Sequence, residues 1–148
     1  MQPFPHHYTV STTAAPQGDV LVEAAGLPAL RTEAPVDFDG PGGRWSPEDL
    51  LVASVADCLA LTFRGIARVS KFSWLGFSAH VTGTLDRIDH VSQFTHFDIV
   101  ARVQIPEWAN ADQARRIALK AEDTCLITRS LKATVHVDVE VEVVATAR

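Results

Sequence analysis

The chain has 148 residues, 47% of them apolar, and a formal net charge of −5; that length suits one domain burying about two-thirds of its unfolded surface, so folding requires neither disulfide nor metal. The acidic balance, with no stripe of Lys and Arg interleaved with aromatics, disfavours nucleic acid as a partner. No apolar run is expected to reach the ~18–20 residues of a membrane span, and the start MQPFPHHYTV lacks the basic-then-apolar order of a signal peptide, so no membrane partner is expected and the expected address is the cytoplasm.

Residues 8–13 and 20–25 read as short strands joined by a turn containing Pro16 and Gly18, an N-terminal hairpin. Residues 26–44 are rich in Pro and Gly and read as an irregular arm, with one short strand around Val36 to Phe38. At Ser46 a helix is predicted to begin: Ser is a good N-cap, Pro47 suits the first helical position, and Glu48 and Asp49 complement the helix dipole. From Leu50 to Phe63 apolar residues point nearly all around the axis, which predicts a helix over residues 46–70 buried on most sides. One domain of this size can hardly wrap such a helix, so a second subunit is expected to help.

Phe77, Ala79 and Val81 alternate with polar neighbours, as do Phe97, Ile99, Ala101, Val103 and Ile105, predicting two half-buried antiparallel strands about a turn region at residues 86–93. Asn110 is predicted to cap a second helix whose Ala114, Ile117, Ala118, Ala121 and Cys125 share one face. A last strand places Val135, Val137, Val139, Val141 and Val143 on one side. The expected whole is one α+β domain over residues 1–148: hairpin and arm (1–45), central helix (46–70), then strands, second helix and C-terminal strand (75–148). No βαβ alternation demands a parallel sheet.

The two cysteines, Cys58 and Cys125, are far apart in sequence, form no CxxC, and have no His pair at zinc-ligand spacing. They are either inert core thiols or reactive ones. Burial alone would raise the Cys58 pKa and keep its thiol protonated, and an ionised Asp57 beside it would add to that. The bland reading of Asp57 is an ion pair with Arg64 on the wet edge of the helix. His6, His7, His80, His90, His96 and His136 read as surface residues, and no metal or cofactor is implied.

The run from Ser46-Pro47-Glu48 to Asp57-Cys58 resembles the Asn/Ser-Pro-Glu motif of the OsmC/Ohr family, in which the peroxidatic Cys follows the Glu by ten residues. The run from Ala121 to Leu131 around Cys125, leading into a terminal valine strand, is similar to that family's second Cys region. The resemblance implies antiparallel sheets around a long central helix, in an intertwined homodimer. It further implies a thiol peroxidase in which Cys58 attacks an organic hydroperoxide, Cys125 resolves the sulfenic acid as a disulfide, and a dithiol reductant resets the pair. Glu48 would help hold an Arg that stabilises the thiolate.

Ten residues of straight helix separate Glu48 from Cys58 by about 15 Å along the axis. If both serve one site, Glu48 comes from the partner chain or the helix is broken. The sequence departs from the family where its Arg is expected: residues 14–19 and 36–39 contain none. Arg31 and Arg44, both in the arm, are the candidates to stabilise the thiolate from a new position. The alternative is a redox-sensing or small hydrophobic ligand-binding dimer that keeps the cysteines and has lost the activating Arg.

Overall fold

A computed structural model describes residues 1–145. The chain divides into two compact units, Met1–Leu51 and the remainder from Val52.

In the first unit, β1 (Ser11–Thr13) and β2 (Val20–Glu23) form the expected antiparallel hairpin, with Gly18 at φ +93° in its turn. A third strand that the composition hid, β3 (Leu30–Thr32), pairs antiparallel with β2. The strand expected at Val36 to Phe38 is instead one turn of 3-10 helix, closed by N–H groups of Phe38, Asp39 and Gly40 onto the carbonyls of Pro35 and Val36. A Pro on one side and a Gly-rich run on the other favour such a turn over a ladder position.

Helix α1 (Pro47–Val69) starts where the sequence placed it. The Asp49 N–H donates to Ser46 Oγ at 3.0 Å, and Asp49 Oδ2 accepts from the Ser46 N–H at 3.1 Å and from its hydroxyl at 2.9 Å. This reciprocal box satisfies donors that the first turn would otherwise leave open.

The second unit is a sheet of β4 (Gly76–Ile88), β5 (Val91–Pro106) and β6 (Thr134–Val144) in that order, with α2 (Ala111–Asp123) between β5 and β6. β4 and β5 are antiparallel, as expected. Their turn is tighter than the sequence implied: Asp89 and His90, at φ 47° and 65°, alone close the hairpin, and residues on both sides of them are already in the ladder. β6 runs parallel to β5, which corrects the expectation of purely antiparallel pairing. α2 supplies the crossover that two parallel neighbours need.

Register aligns the apolar positions into rows on one face: Phe77 with Val103 and Val141, Ala79 with Ala101 and Val139, Val81 with Ile99 and Val137, Gly83 with Phe97 and Val135. The two helices cover that face. Phe63 of α1 stacks on Phe77 with ring centroids 4.7 Å apart and meets Trp74 edge-on; Ala114, Ile117, Ala118 and Ala121 of α2 are buried. Asn110 caps α2 as predicted, accepting from the Gln113 N–H at 2.9 Å, and Arg115 donates to the Val139 carbonyl, tying α2 to β6. At Gly83 a Cβ would lie 2.9 Å from side-chain carbons of Val52, Phe94 and Phe97, so helix and hairpin approach as closely as they do because that side chain is absent.

The burial of α1 differs from the expectation. Only Val55, Leu59, Phe63 and Ala67, one stripe at four-residue spacing, are buried within the single chain. Leu61 is 52% exposed. By length and composition α1 could also cross a membrane, with an 18-residue window of mean hydropathy 1.7, where the sequence reading expected no such run. Its buried stripe packs it instead as the core helix of this sheet.

Candidate functional site

Cys58 projects from α1 about 100° around the axis from the buried Leu59, so its thiol is half-buried at the edge of the core rather than inside it. Thr62 lies one turn further on, and the two side chains meet with Sγ and Oγ1 3.9 Å apart.

Cys125 does not lie on α2, as the helical spacing suggested. The helix ends at Asp123, Thr124 is its C-cap, and Cys125 is the residue beyond. It is nevertheless 1% exposed, because the chain turns inward there. The turn is held by the Cys125 N–H on the Glu122 carbonyl and by the Arg129 N–H and Thr128 hydroxyl on the Cys125 carbonyl. It leads directly into the 3-10 turn Thr128–Ser130.

The two thiols, remote in sequence, come close enough to shift one another's protonation, and both are free. Their surroundings drive them apart chemically. Burial pushes the Cys58 thiol up, but hydrogen bonds from the Cys125 thiol, the Ile127 N–H, the Thr62 hydroxyl and the Leu126 N–H outweigh it, and the net pKa is lowered. This reverses the expectation that desolvation would keep Cys58 protonated. For Cys125, burial raises the pKa first; backbone and side-chain hydrogen bonds from Thr128 pull the other way, and the bond to Cys58 raises it again. The two shifts run in opposite directions, Cys58 down and Cys125 up.

A cleft of about 370 Å³ opens at Cys58, lined by Ser54, Asp57, Leu61, Thr62, Leu126 and Ile127 besides the thiol itself. Its walls are mostly apolar, and among the described residues no Lys or Arg lines it. Asp57 is exposed at this cleft. Among the described residues no ion pair joins it to Arg64, which lies nearly two turns, about 10 Å, further along the axis.

The remaining candidates lie in the first unit. Arg31 and Arg44 both bind the Asp19 carboxylate, at 3.2 and 3.3 Å, so each guanidinium already has an anion. Glu48 follows the Pro that opens α1; its Oε2 is buried and has no hydrogen-bond partner among the described residues. α1 is unbroken from Pro47 to Val69, so Glu48 and Cys58 keep their ten-residue spacing on one helix. Among the described residues no group of three or more His, Cys, Asp or Glu could hold a metal ion.

Thr62 and the N–H groups of Leu126 and Ile127 escaped the sequence reading. Thr62 could have been found, since position i+4 on a helix faces position i. The two N–H groups carry no sequence signal, because they reach Cys58 only through the turn that ends α2.

Known proteins bear on this arrangement. The chain is 24% identical over 143 residues to the uncharacterised protein YmaD of Bacillus subtilis, covering 93% of this chain and 94% of that one. An OsmC-like protein of unknown function from Vibrio cholerae superposes with a TM-score of 0.83 at 15% identity, covering 91% of this chain and 99% of the other. An organic hydroperoxide resistance protein OsmC from Legionella pneumophila gives 0.73 at 23% identity, covering 95% and 99%. The family described as OsmC-like protein matches residues 40–140, a stretch that holds α1, both cysteines and most of the second unit, and the chain belongs to that family.

Proposed function

We propose that this protein is a cytoplasmic thiol-dependent peroxidase that reduces organic hydroperoxides through Cys58 and Cys125. The observation that carries the proposal is that two free cysteines remote in sequence influence one another's protonation, the half-buried Cys58 opening on a cleft with its pKa lowered and the buried Cys125 raised. A nucleophile needs its thiolate populated and accessible; a resolving thiol needs proximity and protection until it is called on.

In this scheme the Cys58 thiolate attacks the distal oxygen of the hydroperoxide. The O–O bond breaks, the leaving alkoxide takes a proton to become an alcohol, and Cys58 becomes a sulfenic acid. The Cys125 sulfur then displaces the sulfenic oxygen as water, forming the Cys58–Cys125 disulfide. A dithiol reductant returns both cysteines to thiols and is itself oxidised to a disulfide.

The working unit is a homodimer. The half-exposed apolar surface of α1 supports this, since a surface of that kind is normally covered. Glu48 then acts across the interface on its partner's site, where its unpaired buried oxygen is suited to accept a hydrogen bond. Since Arg31 and Arg44 are engaged with Asp19, the donors on Cys58 carry the thiolate in this chain.

Turnover of cumene hydroperoxide with excess dithiothreitol tests the reading. Wild type consumes the peroxide, Cys58→Ser consumes none, and Cys125→Ser, treated with peroxide before any dithiothreitol is added, stops at the sulfenic acid without forming a disulfide. Because its pKa is lowered, Cys58 should reach its thiolate plateau at lower pH than an unperturbed thiol. Cys125→Ala removes a donor, so the alkylation profile of Cys58 should move to higher pH. The cation-free cleft lining favours one second reading, a non-catalytic dimer that holds a small hydrophobic ligand. Binding of an apolar fluorophore without any peroxide consumption would select it.

A further inference from the structure

The cleft at Cys58 is chemically lopsided. Leu61, Leu126 and Ile127 give it apolar walls. Among the described residues its single ionisable lining group besides the thiol is Asp57, adjacent to Cys58 in sequence and solvent-exposed. Among the described residues of the chain no lining cation offsets that carboxylate and no ion pair occupies it.

From these positions we infer that Asp57 sets the charge selectivity of the Cys58 cleft, which admits neutral or cationic electrophiles with an apolar body and disfavours those that carry a carboxylate. The inference rests on Cys58 being the attacking thiol. Applied to the peroxidase reading, it makes neutral alkyl and aryl hydroperoxides the substrate class and places carboxylated ones, such as hydroperoxides of free fatty acids, at a disadvantage. The physical basis is ordinary Coulomb repulsion. Two like charges within about 6–8 Å at a partly desolvated surface change an encounter or transition-state population by roughly three- to tenfold, and added salt screens the effect.

The test does not depend on peroxide chemistry. Iodoacetamide and iodoacetate form the same kind of S–C bond with loss of iodide but differ in charge, and mass spectrometry after digestion reports their rates at Cys58 separately from Cys125. The ratio of the two rates in the folded full-length protein, divided by the ratio for the same protein unfolded in urea, isolates the selectivity of the cleft. The thiolate fraction cancels, because both reagents draw on it.

The expected result is a three- to tenfold bias toward iodoacetamide in wild type, reduced by high salt and largely abolished in Asp57→Asn. The salt series needs no variant, so a failure of Asp57→Asn to fold would not spare the inference. A folded-state ratio equal to the unfolded one and insensitive to salt would overturn it, as would a folded-state Cys58 closed to both reagents. If the alkylation bias holds while no hydroperoxide, neutral or carboxylated, is consumed, the charge assignment stands and the peroxidase reading falls.

Discussion

The two helices of this chain each bury four residues against the same sheet, yet they are built on different terms. In α2 the buried Ala114, Ile117, Ala118 and Ala121 form the apolar face, and Asp112, Arg115, Arg116, Lys120, Glu122 and Asp123 supply most of the rest, so the helix is complete as a surface element. In α1 the buried stripe of Val55, Leu59, Phe63 and Ala67 is equally narrow, but leucines, valines and alanines continue around the axis where nothing in the single chain buries them fully. A helix that spends apolar residues on an uncovered face either has a second partner or serves a site. Cys58 and its cleft lie beside that face, while Cys125 sits beyond the end of α2 and is sealed in. The helix with surplus apolar surface thus carries the accessible thiol, and the self-sufficient one delivers the protected thiol to it.

The contrast can be broken most forcefully at Phe63, which is fully buried between Phe77 and Trp74. Phe63→Ala should cost about 3–5 kcal/mol in urea unfolding, since the aromatic cluster cannot collapse into so large a space. The helix caps come next. Ser46→Ala removes a hydroxyl with two bonds to Asp49 and should cost about 1–2 kcal/mol; Asn110→Ala removes a single acceptor and should cost about 1 kcal/mol. A reversed order in denaturant titrations would mean that the box at Ser46 contributes less than its geometry implies. The smallest effect on stability is expected at Leu61, where Leu61→Lys should stay within about 0.5 kcal/mol for the single chain. If the uncovered face of α1 is an interface, light scattering should find wild type at twice the 16.1 kDa chain mass, with Leu61→Lys moving toward 16.1 kDa. A wild type that is monomeric at micromolar concentration would leave that face without the proposed occupant.

What the sequence revealed follows from how local each signal is. Ser46-Pro47, Asn110 and the alternating valines of β6 act on their own neighbours, and the structure places α1, α2 and β6 where those residues predict. β3 was hidden because Leu30–Thr32 is too short to show a period beside Pro and Gly, and the parallel pairing of β6 depends on a crossover that no strand announces. At the site, Cys58 and Cys125 stand out as residue types, but two features were illegible. The end of α2 falls two residues before Cys125, and the N–H groups that follow turn back on the Cys58 sulfur. Both arise from the path of a loop, and they reverse the direction in which burial alone moves the Cys58 pKa.

The most direct test of the central claim is the intact mass and free-thiol count of the reduced protein after one equivalent of cumene hydroperoxide. The account predicts loss of two hydrogens per chain and of both thiols, with peptide mapping joining Cys58 to Cys125 and no reaction in Cys58→Ser. Both thiols surviving excess hydroperoxide in the folded protein would contradict it.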